Sequence, residues 1–289
     1  ALIVLSAIAS LALAFYVYSY EEDLCFDRLE NSAAGIADEL EMSLVDDTEQ
    51  LTALSMLASH HSDLTSSEFL NVLGSYSTVG AVSRLELLLP DDTIMLRSGV
   101  RVDASEYLSF AEEASRGTHM SGESLDIVNP ERHVVRIFVP VTQNGQTVAL
   151  LCGVIELDSL MDCVATPPFN GQASILLIDG ATGDLLLDTW TNAHGENLWT
   201  FESFELLPQY DRETFANALA SGESGYAVFH AGKTDQDVYL YHQPTAVRSW
   251  QVAVAVSEDI VFDRARDVRD GLLVFLVFEA VCFLAYFGW

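Results

Sequence analysis

Basic residues are scarce in this 289-residue chain, which has 13 Lys and Arg against 43 Asp and Glu and a formal net charge of −30. A surface with so many carboxylates repels nucleic acid, because binding to a phosphate backbone depends on Lys and Arg. We therefore exclude nucleic acid as a partner. The charge excess says nothing about the fold.

Cysteines are also few, at four, and no CxxC pair occurs among them, so a metal or redox centre built on cysteine is not expected. Cys152 lies in an apolar, strand-like run and Cys163 in a short predicted helix after it. A disulfide between these two residues is one prediction for an oxidising compartment. Two buried free thiols are the alternative.

Enzyme signatures are missing: the sequence contains no GxSxG, HExxH, P-loop or GxGxxG motif. His60, His61 and Asp63 could supply metal ligands, but adjacent histidines point in different directions on a helix, and a solvated helix end is the expected structure. We expect no catalytic residue, no metal and no cofactor in this chain. A Ser–His–acid triad assembled only in three dimensions stays open, which would make the protein a membrane-anchored extracellular hydrolase.

Two long apolar runs bracket the chain. Residues 1–20 carry no charge, and residues 271–289 carry only Glu279. About 20 helical residues are enough to cross a bilayer core of about 30 Å, so both runs are predicted to be transmembrane helices. A cleaved signal peptide is the alternative for the first run, but tyrosines at its end are typical of a membrane interface. Because the chain starts with Ala1 and stops within an apolar run, we expect it to be part of a longer protein.

Residues 21–62 are predicted to form one long helix that continues the first membrane span outward. Gly35 is its only glycine, and it has no proline. The apolar stripe could pack on its own domain, pair with a second copy in a homodimer, or do both. The apolar residues that recur at helical spacing are Leu29, Ala33, Ile36, Leu40, Leu44, Leu51, Leu54 and Leu57.

Strand and helix patterns then follow in the same order twice, which predicts two tandem modules at 63–166 and 167–257 and a juxtamembrane helix at 258–270. Each module has a Phe and a Gly seven residues apart in a short helix, and then a proline in a strand. The two sets are offset by about 105 residues. Within the first module, Asn144-Gly145 predicts a tight β-hairpin. The landmark residues are Phe110, Gly117 and Pro140 in the first module and Phe215, Gly222 and Pro244 in the second.

This arrangement resembles the double Cache sensor, an extracytoplasmic ligand-binding domain of bacterial receptors. The resemblance rests on the long helix, the turn Asp179-Gly180-Ala181-Thr182-Gly183-Asp184, the helix that ends at Gly117, and the hairpin from Arg136 to Leu157. It implies an α+β fold with two PAS-like modules of antiparallel sheet, held in the bacterial plasma membrane with the central domain outside. The stretch 178–188 is similar to sensors fused to diguanylate cyclases or histidine kinases, and a chemoreceptor body is a third candidate output.

The resemblance implies that the first, membrane-distal module holds the ligand. Arg84 and Arg136 lie inside apolar strands, where a guanidinium could bind a ligand carboxylate bidentately. The alternative is that strand alternation places both arginines on the solvent face, paired with Asp or Glu. Tyr107 could equally be a core aromatic, whereas His119 and Ser121 follow Gly117, where the family's loop tends to touch ligand. The candidate ligand-binding residues are Arg84, Arg97, Tyr107, His119, Ser121 and Arg136.

A second pocket is considered in the proximal module, with core packing as the alternative for its residues. The amino-acid-binding subclass of the family has a Tyr, Arg, Trp and Asp signature, and no Trp precedes Trp190 here, which counts against an amino-acid ligand. We expect a sensor of a small molecule, for which a carboxylate is one candidate class. The alternative is an ectodomain that senses a partner protein. The candidates for the second pocket are Asp188, Trp190, Tyr226, Tyr241 and Trp250.

Overall fold

The structure is a computed structural model that describes residues 2–76, 80–163, 168–190, 196–199, 204–232 and 235–288. Side chains at 2–5, 161–163, 204, 264, 283 and 286–288 lie outside the description. The chain forms two compact units. We call residues 38–166 the first-sheet unit, and residues 1–37 together with 167–289 the second-sheet unit.

Helix α1 (Leu2–Ala58) is continuous over 57 residues. Its apolar stripe is buried from Leu29 to Leu54, as the spacing predicts, because residues at i, i+3, i+4 and i+7 fall on one face. The prediction is wrong for Leu57, whose side chain is 49% exposed, because the buried face of the last turn passes through Ser55 and Ala58 instead. In the first-sheet unit, the hydroxyl of Ser55 also donates to the carbonyl of Pro140 at 2.6 Å and ties the helix to the sheet.

The first-sheet unit is built on an antiparallel sheet with the strand order β3-β2-β1-β7-β6-β4, and β5 also pairs with β6. A 3₁₀ segment, Leu157–Cys163, follows the last strand. The elements are α2 (Ser67–Ser75), β1 (Arg84–Leu88), β2 (Thr93–Leu96), β3 (Arg101–Asp103), α3 (Phe110–Ser115), β4 (His119–Met120), β5 (Ser124–Leu125), β6 (His133–Gln143) and β7 (Gln146–Glu156).

The hairpin between β6 and β7 turns at Asn144 and Gly145, with φ angles of +50° and +80°. Both values lie in the left-handed region that this two-residue turn requires, and Asn and Gly adopt it at the lowest cost. The hairpin predicted from the sequence is therefore confirmed.

The second-sheet unit contains a second antiparallel sheet, with the strand order β10-β11-β12-β13-β8-β9. A 3₁₀ segment, Pro168–Gly171, precedes it. The elements are β8 (Ser174–Asp179), β9 (Leu185–Asp188), β10 (Phe204–Leu206), α4 (Arg212–Ser221), β11 (Gly225–Ala231), β12 (Gln236–Pro244), β13 (Trp250–Ser257), α5 (Glu258–Val261) and α6 (Asp263–Gly288).

The two sheets have equivalent topologies. The path β2-β1-β7-β6-β4 in one corresponds to β9-β8-β13-β12-β11 in the other, and a short helix precedes the strands β4 and β11. Both helices are followed by a glycine in the left-handed region, with φ of +70° at Gly117 and +73° at Gly222. The two sheets thus share one topology, and the module boundaries at 63–166 and 167–257 stay predictions.

Within the described residues, no helix combines the length and apolar character needed to cross a membrane. Both predicted spans, 1–20 and 271–289, include terminal residues outside the description. At the described positions, the hydroxyl of Ser6 on α1 donates to the carboxylate of Glu279 on α6 at 2.6 Å. The acid in the second apolar run therefore has a partner within the chain.

Cys152 is a free thiol on β7 and is fully buried. Burial raises the pKa of this thiol far above its ordinary value, which keeps it protonated. The alternative of a buried free thiol is therefore confirmed for Cys152, and the disulfide is not formed. The side chain of Cys163 lies outside the described residues.

Candidate ligand-binding site

A cavity of about 480 Å³ lies in the first-sheet unit, at the end of the sheet where β1 begins and β2 and β7 end. The antiparallel register brings these strand ends together, because Arg84 at the start of β1 pairs with Val154 near the end of β7. The C-terminal end of α2 supplies the remaining wall. The lining residues are Leu73, Gly74, Ser75, Tyr76, Ser83, Arg84, Leu85, Arg97 and Glu156.

Arg97 follows β2, and its side chain is exposed at the cavity. Among the described residues it has neither an ion-pair partner nor a side-chain hydrogen bond. A cation without a partner is unexpected in a chain with 43 acidic residues. Arg97 is therefore available to an anion that enters the cavity.

Arg84 lines the same cavity with a side chain that is 24% exposed. Its Nε donates to Glu86 Oε1 at 2.8 Å, and its Nη2 donates to Asp126 Oδ1 at 2.7 Å. Burial lowers the pKa of Arg84, but the hydrogen bonds and charges of the two acids outweigh burial and raise this pKa above its ordinary value. The Arg84 guanidinium is therefore charged, and both of its partners, Glu86 and Asp126, are buried carboxylates.

Arg136 lies behind Arg84, with a side chain that is only 1% exposed. Its Nη2 donates to Asp126 Oδ1 at 3.1 Å, the same oxygen that Arg84 binds, and its Nη1 donates to Ser124 Oγ at 3.2 Å. Glu86 and Asp126 are equally buried. We call Arg84, Glu86, Asp126 and Arg136 the buried arginine–acid quartet.

The quartet tests the alternative that strand alternation places Arg84 and Arg136 on the solvent face. Both Arg84 and Arg136 pair with Val154 across neighbouring strands, so they lie on one face of the sheet. Phe138 lies on this face two residues after Arg136, and it belongs to the apolar core cluster. The prediction of a solvent face is therefore wrong for Arg136, although the expected pairing with Asp and Glu is confirmed for both arginines.

Four of the six candidates of the first module are not among the residues that line the cavity: Arg136, Tyr107, His119 and Ser121. Ser121 accepts a hydrogen bond from the backbone N–H of Arg136 at 2.9 Å and continues the strand pairing. His119 Nε2 lies 2.6 Å from Glu113 Oε2, and its ring stacks on Phe138 with centroids 5.1 Å apart. Tyr107 is 66% exposed, so it is not a core aromatic.

The five candidates of the second pocket lie on two faces of the second sheet. Asp188 pairs with Leu176 and is buried on the face that carries the apolar core, where its Oδ1 accepts the N–H of Trp190 at 2.7 Å. Trp190 contacts Phe229 on the same face, with ring centroids 6.0 Å apart. Strand alternation places the remaining three candidates on the opposite face of the sheet, so the structure does not bring them together with Asp188 and Trp190. These three are Tyr226, Tyr241 and Trp250.

Sequence reasoning missed three acids at this site: Glu86, Asp126 and Glu156. A signal existed for Glu86, because it follows Arg84 by two residues in a strand and therefore shares its face. No local pattern connects Asp126 or Glu156 to the arginines. In the described residues, no group of three or more His, Cys, Asp or Glu side chains is arranged to hold a metal ion.

No protein-family model matches the sequence, and no curated protein matches it. Solved structures do match. The structure of "Methyl-accepting Chemotaxis protein X" is 16% identical with a TM-score of 0.63, and the match covers 82% of this chain and 99% of that one. An extracellular domain assigned to the histidine kinase rpHK1S-Z16 is 16% identical with a TM-score of 0.63, and the match covers 83% and 97% of the two chains.

A third match is the ligand-binding domain of the Pseudomonas aeruginosa PAO1 amino-acid chemoreceptor PctB in complex with L-Gln. It is 18% identical with a TM-score of 0.59, and the match covers 82% of this chain and 92% of that one. The chain thus has the α+β fold of extracellular ligand-binding domains of chemoreceptors and histidine kinases. The resemblance to the double Cache sensor is confirmed at the level of the fold.

Proposed function

We propose that this chain is the extracytoplasmic sensing part of a membrane receptor and that it binds a small carboxylate in the cavity of the first-sheet unit. The observation that carries the proposal is Arg97, which lines the cavity without an ion-pair partner among the described residues. Arg84 lines the cavity beside it. Two guanidinium groups are well suited to bind a carboxylate, which accepts paired N–H donors.

Arg97 is the cation that favours an anionic group in the cavity, because no described acid pairs with it. The charges of Arg84 and Arg136 are matched by the buried acids Glu86 and Asp126. Glu156 also lines the cavity, and its nearest cation, Arg132 at 3.8 Å, lies closer to Asp158, at 2.9 Å. The favourable place for the anionic group of a ligand is therefore beside Arg97. The apolar walls Leu73 and Leu85 would cover the rest of a small organic acid.

Amino acids and simple organic acids are the two classes of carboxylate to be distinguished. The matched PctB structure holds L-Gln. An amino acid carries an ammonium group that could donate a hydrogen bond to the Glu156 carboxylate in the cavity. The absence of Trp before Trp190 favours simple organic acids over amino acids.

The signal would pass from the second-sheet unit to the second apolar helix. Phe262, between α5 and α6, contacts Tyr239 of the sheet and Tyr18 of α1, with ring centroids 5.7 and 4.9 Å apart. A shift of the sheet would therefore reach the start of α6 through packed rings. We infer that α1 and α6 anchor the receptor in a bacterial plasma membrane and that a diguanylate cyclase, histidine kinase or chemoreceptor body lies beyond Trp289.

A homodimer fits this function. The side chains of Met42, Val45 and Met56 are all more than half exposed, and their spacing places them along one side of α1. Exposed apolar side chains on one helix face are typical of a surface that pairs with another chain. Cysteine crosslinking at position 42 in membranes tests this assembly.

A thermal-shift screen of the full chain in detergent micelles tests the proposed ligand class. The panel contains acetate, lactate, succinate, citrate, glutamate and alanine, with amines and neutral sugars as controls. A carboxylate at 100 times its dissociation constant should stabilise the protein by about 2.7 kcal/mol. Silence across all carboxylates at saturating concentrations would contradict the proposal and favour an ectodomain that senses a partner protein.

A further inference from the structure

The buried arginine–acid quartet contains two atoms that the fold leaves without hydrogen bonds. Glu86 Oε2 and Arg136 Nε are both fully buried and have no hydrogen-bond partner among the described residues. They lie 3.6 Å apart, just beyond hydrogen-bond distance. Unsatisfied buried groups of this kind are costly, so a small movement that pairs them would be favourable.

Arg84 holds Glu86 in its present position. It donates from Nε to Glu86 Oε1, and its Nη2 lies 2.7 Å from the same oxygen. Glu86 is therefore pulled toward Arg84, while its other oxygen stays unpaired beside Arg136. If Arg84 turned toward the cavity, Glu86 would be free to close the 3.6 Å gap.

Asp126 is the second internal partner of Arg84, and it belongs to a different part of the chain. Its Oδ1 accepts from both Arg84 and Arg136, at 2.7 and 3.1 Å. Its carboxylate also accepts the backbone N–H groups of Val128 and Asn129, at 3.3 and 3.2 Å. The carboxylate therefore connects Arg84 to the segment between β5 and β6.

We propose that Asp126 is a built-in competitor for the carboxylate of the ligand, and that ligand binding exchanges Asp126 for the ligand at Arg84. Glu86 then pairs with Arg136 Nε, which offsets the lost contact, and the segment 126–132 loses one of its anchors. This inference rests on the proposed carboxylate site. It deepens that proposal by naming the internal group that sets the affinity and receives the signal.

The test measures protection of Arg84 and Arg97 from the arginine reagent phenylglyoxal, by peptide mass spectrometry on the full chain in detergent micelles. The probe is an equimolar pool of acetate, lactate, succinate, citrate, glutamate and alanine. Asp126→Asn should react faster at Arg84 without the pool. In this variant, half-protection of Arg84 and Arg97 should also require a concentration of the carboxylate pool that is at least about fivefold lower than in the wild type. Fivefold is the lower end of the change in affinity that coupling between two sites typically gives.

Asp91→Asn is the matched control, because it removes one carboxylate from the same unit at an exposed position, 3.8 Å from Arg101. It should leave both measurements unchanged. Equal or weaker protection in Asp126→Asn, with protection in the wild type, would overturn the inference and leave the proposed function standing. If the pool protects neither arginine in any variant, the proposed function fails and the inference fails with it.

A second measurement on the wild type covers the case in which Asp126→Asn does not fold. Hydrogen exchange at the amides of Val128 and Asn129 reports the position of the Asp126 carboxylate, which accepts both N–H groups. If the ligand displaces Asp126, saturating pool should speed exchange at both amides. Unchanged exchange, with Arg97 protected by the pool, would overturn the inference.

Discussion

Arg136 Nε lies 3.6 Å from Glu86 Oε2 in the core of the first-sheet unit, and neither atom has a hydrogen-bond partner among the described residues. Two buried, charged groups thus face each other at a distance that is too long for a hydrogen bond. Their attraction still stabilises both charges, because removing either would leave the other without full compensation.

Arg136→Met should lower the free energy of unfolding by about 3–5 kcal/mol, the usual cost of breaking a buried ion pair by removing one partner. The variant leaves Glu86 and Asp126 buried with only Arg84 to balance them. Urea denaturation of the full chain in detergent measures the loss.

Arg101→Met is the matched control for Arg136→Met. Arg101 is 51% exposed and lies 3.8 Å from Asp91, and exposed pairs contribute about 0–1 kcal/mol. Equal losses in the two variants would contradict the claim that burial makes the quartet costly to break.

Gly80→Ala should destabilise the first-sheet unit more than Gly117→Ala does. Both glycines have positive φ, +89° and +70°, which costs an alanine about 1–2 kcal/mol. A Cβ at Gly80 would also clash with the buried carboxylate of Asp47, whereas a Cβ at Gly117 meets nothing within 4 Å. The clash should add about 1–3 kcal/mol, measured as the difference in urea stability, and equal losses would contradict the placement of Asp47.

Stability should fall as the pH drops below about 7, because His242 stays neutral in the folded protein. Burial lowers the pKa of His242, against a smaller opposing effect of its hydrogen bond with Gln251. Between the ordinary pKa of histidine, about 6.5, and this lowered pKa, the unfolded state binds a proton that the folded state does not. Acidification through that window therefore favours unfolding.

His242→Gln should flatten the pH dependence, and the measurement is the difference between the unfolding free energies of variant and wild type across about pH 5 to 8. The exposed His60→Gln serves as the control. His230 has its pKa raised, chiefly by the hydrogen bond with Asp237, so it stabilises at low pH. It is present in both proteins and cancels in the difference.

Hydrophobic periodicity and turn residues together predicted the architecture well. The stripe from Leu29 to Leu54 and the Asn144-Gly145 turn follow from local rules, helical spacing and left-handed φ. Helix α2 was missed although the shorter α3 was predicted, because Asn71 and Gly74 within it are weak helix formers. The strands β3, β4, β5 and β10 were missed because they have only two or three residues each.

The site was predicted only in part. Arg84 and Arg97 were identified by residue type, because cations are rare in this acidic chain. Their surroundings depend on contacts distant in sequence: Asp126 lies 42 residues from Arg84. His119 and Ser121 show the converse, since their position after Gly117 did not bring them to the lining of the cavity.

The most direct test of the account is the affinity of Arg97→Ala for the carboxylate that gives the largest thermal shift, measured by isothermal titration calorimetry on the full chain. Loss of a charge-assisted hydrogen bond of about 1.5–3 kcal/mol should weaken binding by about tenfold or more. Arg101→Ala, which removes a nearby exposed cation outside the cavity, should bind like the wild type. Equal affinities of Arg97→Ala and the wild type would contradict the proposed site.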